Sequence, residues 1–150
     1  NLGTGRKKIL RLHVAGATNV PLHDESEADS IRPYLTCTLY HPDDLSEDTP
    51  KRKTNSYRQH RLGFLHKGEN PPPVDPIWDD ILEWEYWDTE MSFVRLLLKS
   101  DENWTKNPMF ATVAIRLQYV SEEWTFVRLL DMKGQETNCT VLVRFEFRDA

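Results

Sequence analysis

The alternation of apolar and polar residues over many short segments is the feature that most limits how this chain can fold. In the first such segment Leu10, Leu12 and Val14 alternate with Arg11 and His13. Successive side chains of a β-strand point to opposite faces, so a period of two predicts half-buried strands. The pattern recurs at residues 9–15, 34–40, 81–87, 93–99, 111–117, 125–130 and 139–147.

A basic segment near residues 54–59 is predicted to be an eighth strand. Eight short strands separated by turn-rich segments are typical of an antiparallel β-sandwich. We therefore predict an all-β fold with residues 1–150 in one domain. The proline-rich stretch 63–76 is predicted to be a surface loop, because proline cannot donate to a sheet ladder. Cys37 and Cys139 lie on the apolar sides of their strands, which predicts two buried, reduced thiols.

The charges are segregated along the chain. The net charge is −5, which gives no global basic field, so no nucleic-acid partner is expected. The charged residues of segment 24–48 are mostly acidic, whereas those of segment 51–67 are all basic. The longest apolar runs fall far short of the about 20 residues that cross a bilayer. Any membrane contact is therefore predicted to be peripheral, from the cytoplasm.

The chain lacks the residue patterns that catalysis requires. Its six glycines form no phosphate-binding loop, and its two cysteines are too far apart in sequence for a zinc motif. None of the five histidines forms a pair with metal-ligand spacing. We therefore expect no catalytic residues within this chain.

Several segments together resemble a C2 domain, and the resemblance spans nearly the whole chain. They are RPYLTCTLY, DPIWDDILEWEY and FVRLLLKSDENWTKNPMFATVAI, followed by a tail that reads WTFVRLLDMKGQETNCTVLVRFEF. The tail is similar to the closing hairpin of the C2 domain in eukaryotic phosphoinositide-specific phospholipase C, with fungal members the most similar. This resemblance implies an eight-stranded sandwich of phospholipase C-like topology with three loops at one end. It also implies a C-terminal fragment of a larger enzyme, whose catalytic barrel would be an intramolecular partner.

The resemblance implies a calcium site only in part. Calcium-binding members place acidic residues on the first and third loops, and the matching acidic residues here are Asp24 and Glu102. Asp101, next to Glu102, is a third candidate ligand, although the Asp-x-Asp pattern of the family falls on Ser100 and Glu102. A further ligand position falls on Arg32, and the last falls on Pro108. Calcium requires six to eight oxygen ligands, and a cation within that pocket opposes its binding. We therefore expect no tightly bound calcium or other cofactor, unless a shifted register of the loops brings Asp29 or Asp101 into the site.

Two routes to an anionic phospholipid surface are predicted. In C2 domains the strand at this position contributes to a cationic surface for lipid headgroups, and the candidate residues here are Lys51, Arg52, Lys53, Arg58 and Arg61. The second route is insertion of the third loop through Trp104 and Met109, because tryptophan favours the membrane interface. For the basic strand, the alternative is that Glu83 and Glu85 neutralise its charges. For the third loop, the alternative is that Trp104 packs on its own loop.

The sequence thus leaves three hypotheses of function. The first is a calcium-independent or weakly calcium-dependent module for peripheral membrane association, within an enzyme of lipid signalling. The second is a structural or protein-interaction domain that supports a catalytic barrel and binds little lipid. The third is a calcium sensor, which requires a different alignment of the loops.

Overall fold

The computed structural model describes residues 6–40, 51–59, 70–101 and 107–150, and these form eight antiparallel strands. The strands are β1 Lys7–Thr18, β2 Pro33–Tyr40, β3 Lys51–Lys53, β4 Ile77–Trp87, β5 Phe93–Ser100, β6 Met109–Arg116, β7 Thr125–Asp131 and β8 Glu136–Asp149. Two single turns of 3₁₀-helix, Glu25–Glu27 and Leu117–Tyr119, lie in connections. Among the described residues no helix is long and apolar enough to cross a membrane.

The strands form two four-stranded sheets that pack face to face. The first sheet has the order β3-β2-β5-β6, and the second has the order β7-β8-β1-β4. A short junction joins them, in which β6 pairs with β7 only at Ala111–Asp131 and Thr112–Leu130. The predicted all-β, eight-stranded antiparallel sandwich is confirmed.

The core lies between the sheets and consists of the apolar residues of the alternating pattern. Trp84, Phe110 and Phe145 are the largest fully buried side chains. Burial of such side chains contributes roughly 1.5–3 kcal/mol each and is the main stabilising term of the sandwich. Cys37 and Cys139 are buried and form no disulfide, as predicted.

The predicted strand at residues 54–59 is wrong, because the basic strand is Lys51–Lys53 and ends one residue before Thr54. The Thr54 hydroxyl accepts a hydrogen bond from the Leu35 amide at 3.0 Å, and its own amide donates to the Leu35 carbonyl. The chain then leaves the sheet, and the Tyr57 amide donates to the Pro33 carbonyl at 2.8 Å. A basic composition alone does not show where pairing with β2 stops.

Three connections meet at one end of the sandwich, which we call the loop end. Their described parts are residues 19–32, residues 54–59 and 70–76, and residues 101 and 107–108. The Val20 amide donates to the Val74 carbonyl at 2.9 Å, which joins the first connection to the second. The Arg32 amide donates to the Ser100 hydroxyl at 2.9 Å, which joins the first connection to the start of the third. At the opposite, far end the start of β1 lies beside the end of β8, with Lys8 paired to Asp149.

Candidate functional site

The strands of the first sheet contain no carboxylate. Their cations are Lys51, Arg52, Lys53, Arg95, Lys99 and Arg116. The residues that alternate with the buried ones point outward. Strand pairing places Thr38 between Lys51 and Arg95, and it places Thr36 beside Lys53. We call the outer side of this sheet, with Lys51, Lys53, Arg95, Lys99 and Arg116, the cationic face.

Tyr34 lies at the centre of the cationic face near the loop end. The Lys53 ammonium lies 5.8 Å from its ring centroid, and the Lys99 ammonium lies 6.0 Å from it. Both distances are within the range of a cation–π interaction, which holds an ammonium group over an aromatic face. The ring therefore brings two cations from different strands together on one surface.

None of the four lysines and arginines Lys51, Lys53, Arg95 and Lys99 forms an ion pair with a described carboxylate. Arg95 instead donates to the Thr112 hydroxyl at 3.3 Å. The Arg116 guanidinium donates to the Glu90 carbonyl at 2.6 Å. Within the described part of the chain, the cationic face is therefore lined by basic side chains that no acidic side chain neutralises.

The alternative in which Glu83 and Glu85 neutralise the basic strand is wrong for the described residues. These glutamates lie on β4, which pairs with β1 in the second sheet and not with β3. Glu83 contacts Arg11 and Arg148 at 3.3 and 3.5 Å, and Glu85 contacts Lys7 at 2.8 Å. Glu83 and Glu85 therefore pair with cations of the second sheet, and among the described residues they form no ion pair with the first.

The other predicted lipid-binding residues have different positions. Arg52 points to the opposite side of β3 from its two lysine neighbours, and Arg58 is an exposed residue of the connection after β3. Met109 is paired with Lys99 and is 40% exposed at the loop end, beside the cationic face. Arg61 and Trp104 lie outside the described residues.

The predicted calcium positions lie at the loop end, where other contacts engage the acidic residues. The Asp24 carboxylate caps the 3₁₀ turn by accepting from the Ser26 amide at 3.0 Å. The Asp101 amide donates to the Arg32 carbonyl at 3.2 Å, so Arg32 lies directly beside the third loop. The His23 ring bonds to the Met109 carbonyl at 2.6 Å.

These residues do not fit a calcium site as far as the described chain extends. Within that part no three His, Cys, Asp or Glu side chains are grouped so that they hold a metal ion. Calcium needs at least six oxygen ligands, and a pair of aspartates beside an arginine does not supply them. Glu102, the remaining predicted ligand, lies outside the described residues.

Arg95, Lys99 and Arg116 are candidate site residues that the sequence reasoning missed. The period-two pattern already indicated that Arg95 and Lys99 point outward. What it lacked was the strand order β3-β2-β5-β6, which places them on the same face as Lys51 and Lys53. Strand order depends on contacts between distant segments, so no local pattern reveals it.

Comparison with known proteins identifies the fold. A C2 domain of plant Extended Synaptotagmin 1 superimposes with a TM-score of 0.66 at 13% identity, covering 95% of each chain. This chain has the C2 fold. A structure of two C2 domains of Extended-Synaptotagmin 2 matches with a TM-score of 0.62 at 10% identity, over 96% of this chain and 40% of that one.

Human GIVD cytosolic phospholipase A2 also contains a similar domain. It matches with a TM-score of 0.65 at 12% identity, over 97% of this chain and 18% of that longer one. By sequence, neither a protein-family model nor a curated protein matches this chain. The similarity to these proteins is therefore one of fold.

Proposed function

We propose that this C2 domain is a non-catalytic module for peripheral association with anionic phospholipid membranes. The observation that supports the proposal is the carboxylate-free first sheet, on whose outer face Lys51, Lys53, Arg95 and Lys99 have no described acidic partner. Anionic headgroups are the ligand chemistry that such a surface attracts. The presence of Met109 beside Lys99 adds an apolar group at the edge of the same face.

The strength of this attachment follows from the number of cations. Each lysine or arginine near an anionic leaflet contributes about 1 kcal/mol. Four of them contribute roughly 4 kcal/mol, which corresponds to an apparent dissociation constant on the order of 1 mM. Such an affinity is weak and reversible, as suits a module that assists a larger protein in reaching a membrane.

Sedimentation with phosphatidylcholine vesicles, with and without phosphatidylserine, tests the proposal. The double variant Lys53→Gln/Lys99→Gln is expected to lose roughly 30-fold in affinity for the anionic vesicles, since it removes about 2 kcal/mol. The matched control is Lys7→Gln/Arg11→Gln, which makes the same change of net charge on the second sheet. Equal losses in the two variants, or no preference for phosphatidylserine, would overturn the proposal.

We further propose that the parent protein is a phosphoinositide phospholipase C, and that calcium contributes little to membrane attachment. The tail hairpin and its resemblance support the parent enzyme. The Arg32 backbone contact with Asp101 supports the second part, because it places a cationic residue beside the third loop. Equal vesicle binding in calcium and in a chelator is the expected result. Sequencing the coding region on both sides of the chain tests the enzyme assignment through the catalytic histidines of the barrel.

A second candidate function is that of a structural domain that supports the catalytic barrel. The observation that favours it is an apolar row across the outer face of the second sheet, formed by Phe126, Leu142, Gly16 and Ile77, which are neighbours through strand pairing. Phe126 is 67% exposed and Ile77 is 57% exposed. The row lines a depression of about 390 Å³. Exposed apolar patches of this kind mark contact surfaces.

The two candidates use opposite faces, so one set of variants separates them. Phe126→Ser/Ile77→Ser in the full-length enzyme is expected to lower its stability if the row contacts the barrel, while vesicle binding by the isolated domain stays unchanged. Full stability of that variant would contradict the structural role. Absence of vesicle binding by the isolated domain, with lost enzyme folding on its deletion, would favour the structural role alone.

A further inference from the structure

A group of aromatic and sulfur-containing side chains lies at the far end of the first sheet, away from the loops. Tyr40, Phe93 and Arg116 are paired across β2, β5 and β6 and form the last row of the cationic face. The rings of Tyr40 and Phe93 stack, with centroids 4.8 Å apart. Next to them are Met91 and Tyr119, and we call these five residues the aromatic corner.

Arg116 is held in place at the centre of the aromatic corner. Its Nε donates to the Glu90 carbonyl at 2.6 Å, and its guanidinium carbon lies 5.1 Å from the centroid of the Tyr119 ring. One of its terminal nitrogens lies 3.5 Å from the Met91 sulfur. The guanidinium is therefore preorganised, although no described carboxylate pairs with it, so little side-chain entropy remains to be lost when it binds an anion.

The two side chains around Arg116 are unusually exposed. Tyr119 is 74% exposed and Met91 is 47% exposed. The backbone holds them there, because the Leu117 amide donates to the Ser92 carbonyl at 3.0 Å and so fixes the 3₁₀ turn against the start of β5. An exposed tyrosine, an exposed methionine and a fixed arginine combine the groups that favour the boundary between headgroups and acyl chains.

Among the described residues, the acidic side chains nearest to the aromatic corner are mostly directed elsewhere. The Glu122 carboxylate accepts from the Phe147 amide at 2.9 Å, which turns it towards the second sheet. Asp88 forms an ion pair with Lys8 at 3.0 Å. Glu90 is exposed at the rim of the corner, and its carbonyl, not its carboxylate, is the group that holds Arg116.

The aromatic corner continues the cationic face. Its row follows directly on the row of Thr38, Arg95 and Ala114. The eight residues of β5 separate the corner from the loop end by roughly 25 Å at about 3.3 Å per residue. Contact at both ends of one sheet fixes the tilt of the domain along the strands of that sheet, whereas contact at the loop end alone leaves this tilt undetermined.

We propose that the aromatic corner is a second membrane-contact point, which inserts Tyr119 and Met91 at the headgroup level of an anionic phospholipid bilayer while Arg116 binds a lipid phosphate. This inference rests on the proposed function and extends it. The complementary charge of the cationic face selects the anionic bilayer as the occupant. The first sheet then lies flat on the membrane, and the apolar row of the second sheet faces away and stays accessible.

A fluorophore placed at the corner tests the inference on the 150-residue chain. Cys37 and Cys139 are buried, so a single introduced cysteine is labelled selectively. Tyr119→Cys with an environment-sensitive dye is compared with Ile81→Cys, a position 54% exposed on the second sheet. With vesicles of phosphatidylcholine and phosphatidylserine, a blue shift at position 119 and none at position 81 are expected. Sedimentation of the same samples shows whether the protein is bound.

The outcomes separate the inference from the proposed function. Bound protein with an unshifted label at position 119 overturns the inference and leaves the proposed function intact. Protein that does not sediment with the vesicles overturns both. The unlabelled variant Met91→Ser/Tyr119→Ser is expected to bind about tenfold more weakly, while Ile81→Ser binds as the wild type does. Equal affinities of these two variants would also overturn the inference.

Discussion

At position 16 the close approach of another backbone segment leaves room only for glycine. Gly16 lies at a bulge of β1, where the register with β4 and β8 shifts after Val14. A Cβ atom at this position would lie 2.5 Å from the Pro76 carbonyl oxygen and 3.3 Å from the Ile77 Cα. Both are backbone atoms, so rotation of a side chain cannot relieve the clash. The requirement for glycine arises from close approach and not from its own backbone angles.

Gly16→Ala is expected to lower the free energy of unfolding by about 1–3 kcal/mol, as overpacking of a filled site does. Urea denaturation measures the effect. Gly134 serves as a control, because its φ of 84° demands glycine although no heavy atom lies within 4 Å of an added Cβ. Asparagine tolerates that left-handed region, so Gly134→Asn should be milder than Gly134→Ala, whereas Gly16→Asn should be at least as harmful as Gly16→Ala. The opposite ranking would contradict these reasons.

Because of the two buried thiols, we expect the free energy of unfolding to fall as the pH rises in the alkaline range. Burial raises the pKa of the Cys139 thiol from 9.0 to about 12, with a further contribution from the Asp75 charge. Burial also raises the pKa of Cys37. The unfolded chain therefore loses these protons first as the pH rises. Their contribution to stability is complete below pH 9.0 and is lost as the pH approaches the folded pKa.

Between about pH 9 and 10 the free energy of unfolding is expected to fall by about 1 kcal/mol for each thiol. Burial also raises the pKa values of Tyr57 and Tyr86 above 10.0, so these groups add a smaller fall towards the top of this window. In Cys139→Ala the fall should be about half as steep, whatever the variant's stability at neutral pH. Urea titrations at several pH values provide the measurement, and an unchanged slope in the variant would show that Cys139 does not contribute.

At the scale of elements, β3 is the shortest of the described strands, and it positions two cations of the proposed site. It has three residues and pairs only with β2. Thr54 extends this attachment, since its side chain accepts from the Leu35 amide and donates to the Asn55 carbonyl at 3.1 Å. Thr54 is itself buried. Its hydroxyl thus satisfies backbone groups that a strand of this length leaves unpaired.

Thr54→Val is expected to destabilise the domain by about 1–3 kcal/mol, because it leaves a buried amide of β2 without a partner. Thr54→Ser retains the hydroxyl and should recover most of the stability. Denaturant unfolding of both variants gives the comparison. If valine proved as stable as threonine, the hydroxyl would have no structural role. Loss of β3 should also weaken vesicle binding, which links this element to the site.

At the scale of the whole molecule, the two sheets differ in the ion pairing of their charged side chains. The second sheet neutralises its own cations, as the pairs of Lys7 with Glu85 and Arg11 with Glu83 show. The first sheet leaves its cations without a described acidic partner. In a chain with a net charge of −5, the described residues thus include one face whose charged side chains are all basic. The distribution of charge over the surface, more than its sum, determines which partner is attracted.

Binding to anionic vesicles is therefore expected to fall steeply with ionic strength. The Debye length shortens from about 10 Å at 0.1 M to about 3 Å at 1 M salt, which screens the exposed cations from the headgroups. Sedimentation across this range should show a loss of at least tenfold. Lys53→Gln/Lys99→Gln should have a shallower dependence on salt. Binding that is insensitive to salt would indicate that apolar contacts dominate.

The sequence by itself determined the strands and the core, because period-two alternation is a local property of a half-buried strand. It correctly indicated the burial of Leu10 and Trp84 and the two free thiols. It placed the basic strand too late in the chain, since the end of β3 depends on the contact of Thr54 with Leu35. Only the tertiary structure shows which basic side chains lie on the same face of a sheet.

That arrangement rests on pairing between distant segments. Glu83 meets Arg148 from the other end of the chain, and Lys99 meets Lys53 around the ring of Tyr34. The sequence pattern shows that each of these side chains is exposed, but not which strands are neighbours. The order β3-β2-β5-β6 arises because the inner apolar faces of both sheets must be buried against each other. This condition involves the whole chain, and it separates the cationic face from the paired charges of the second sheet.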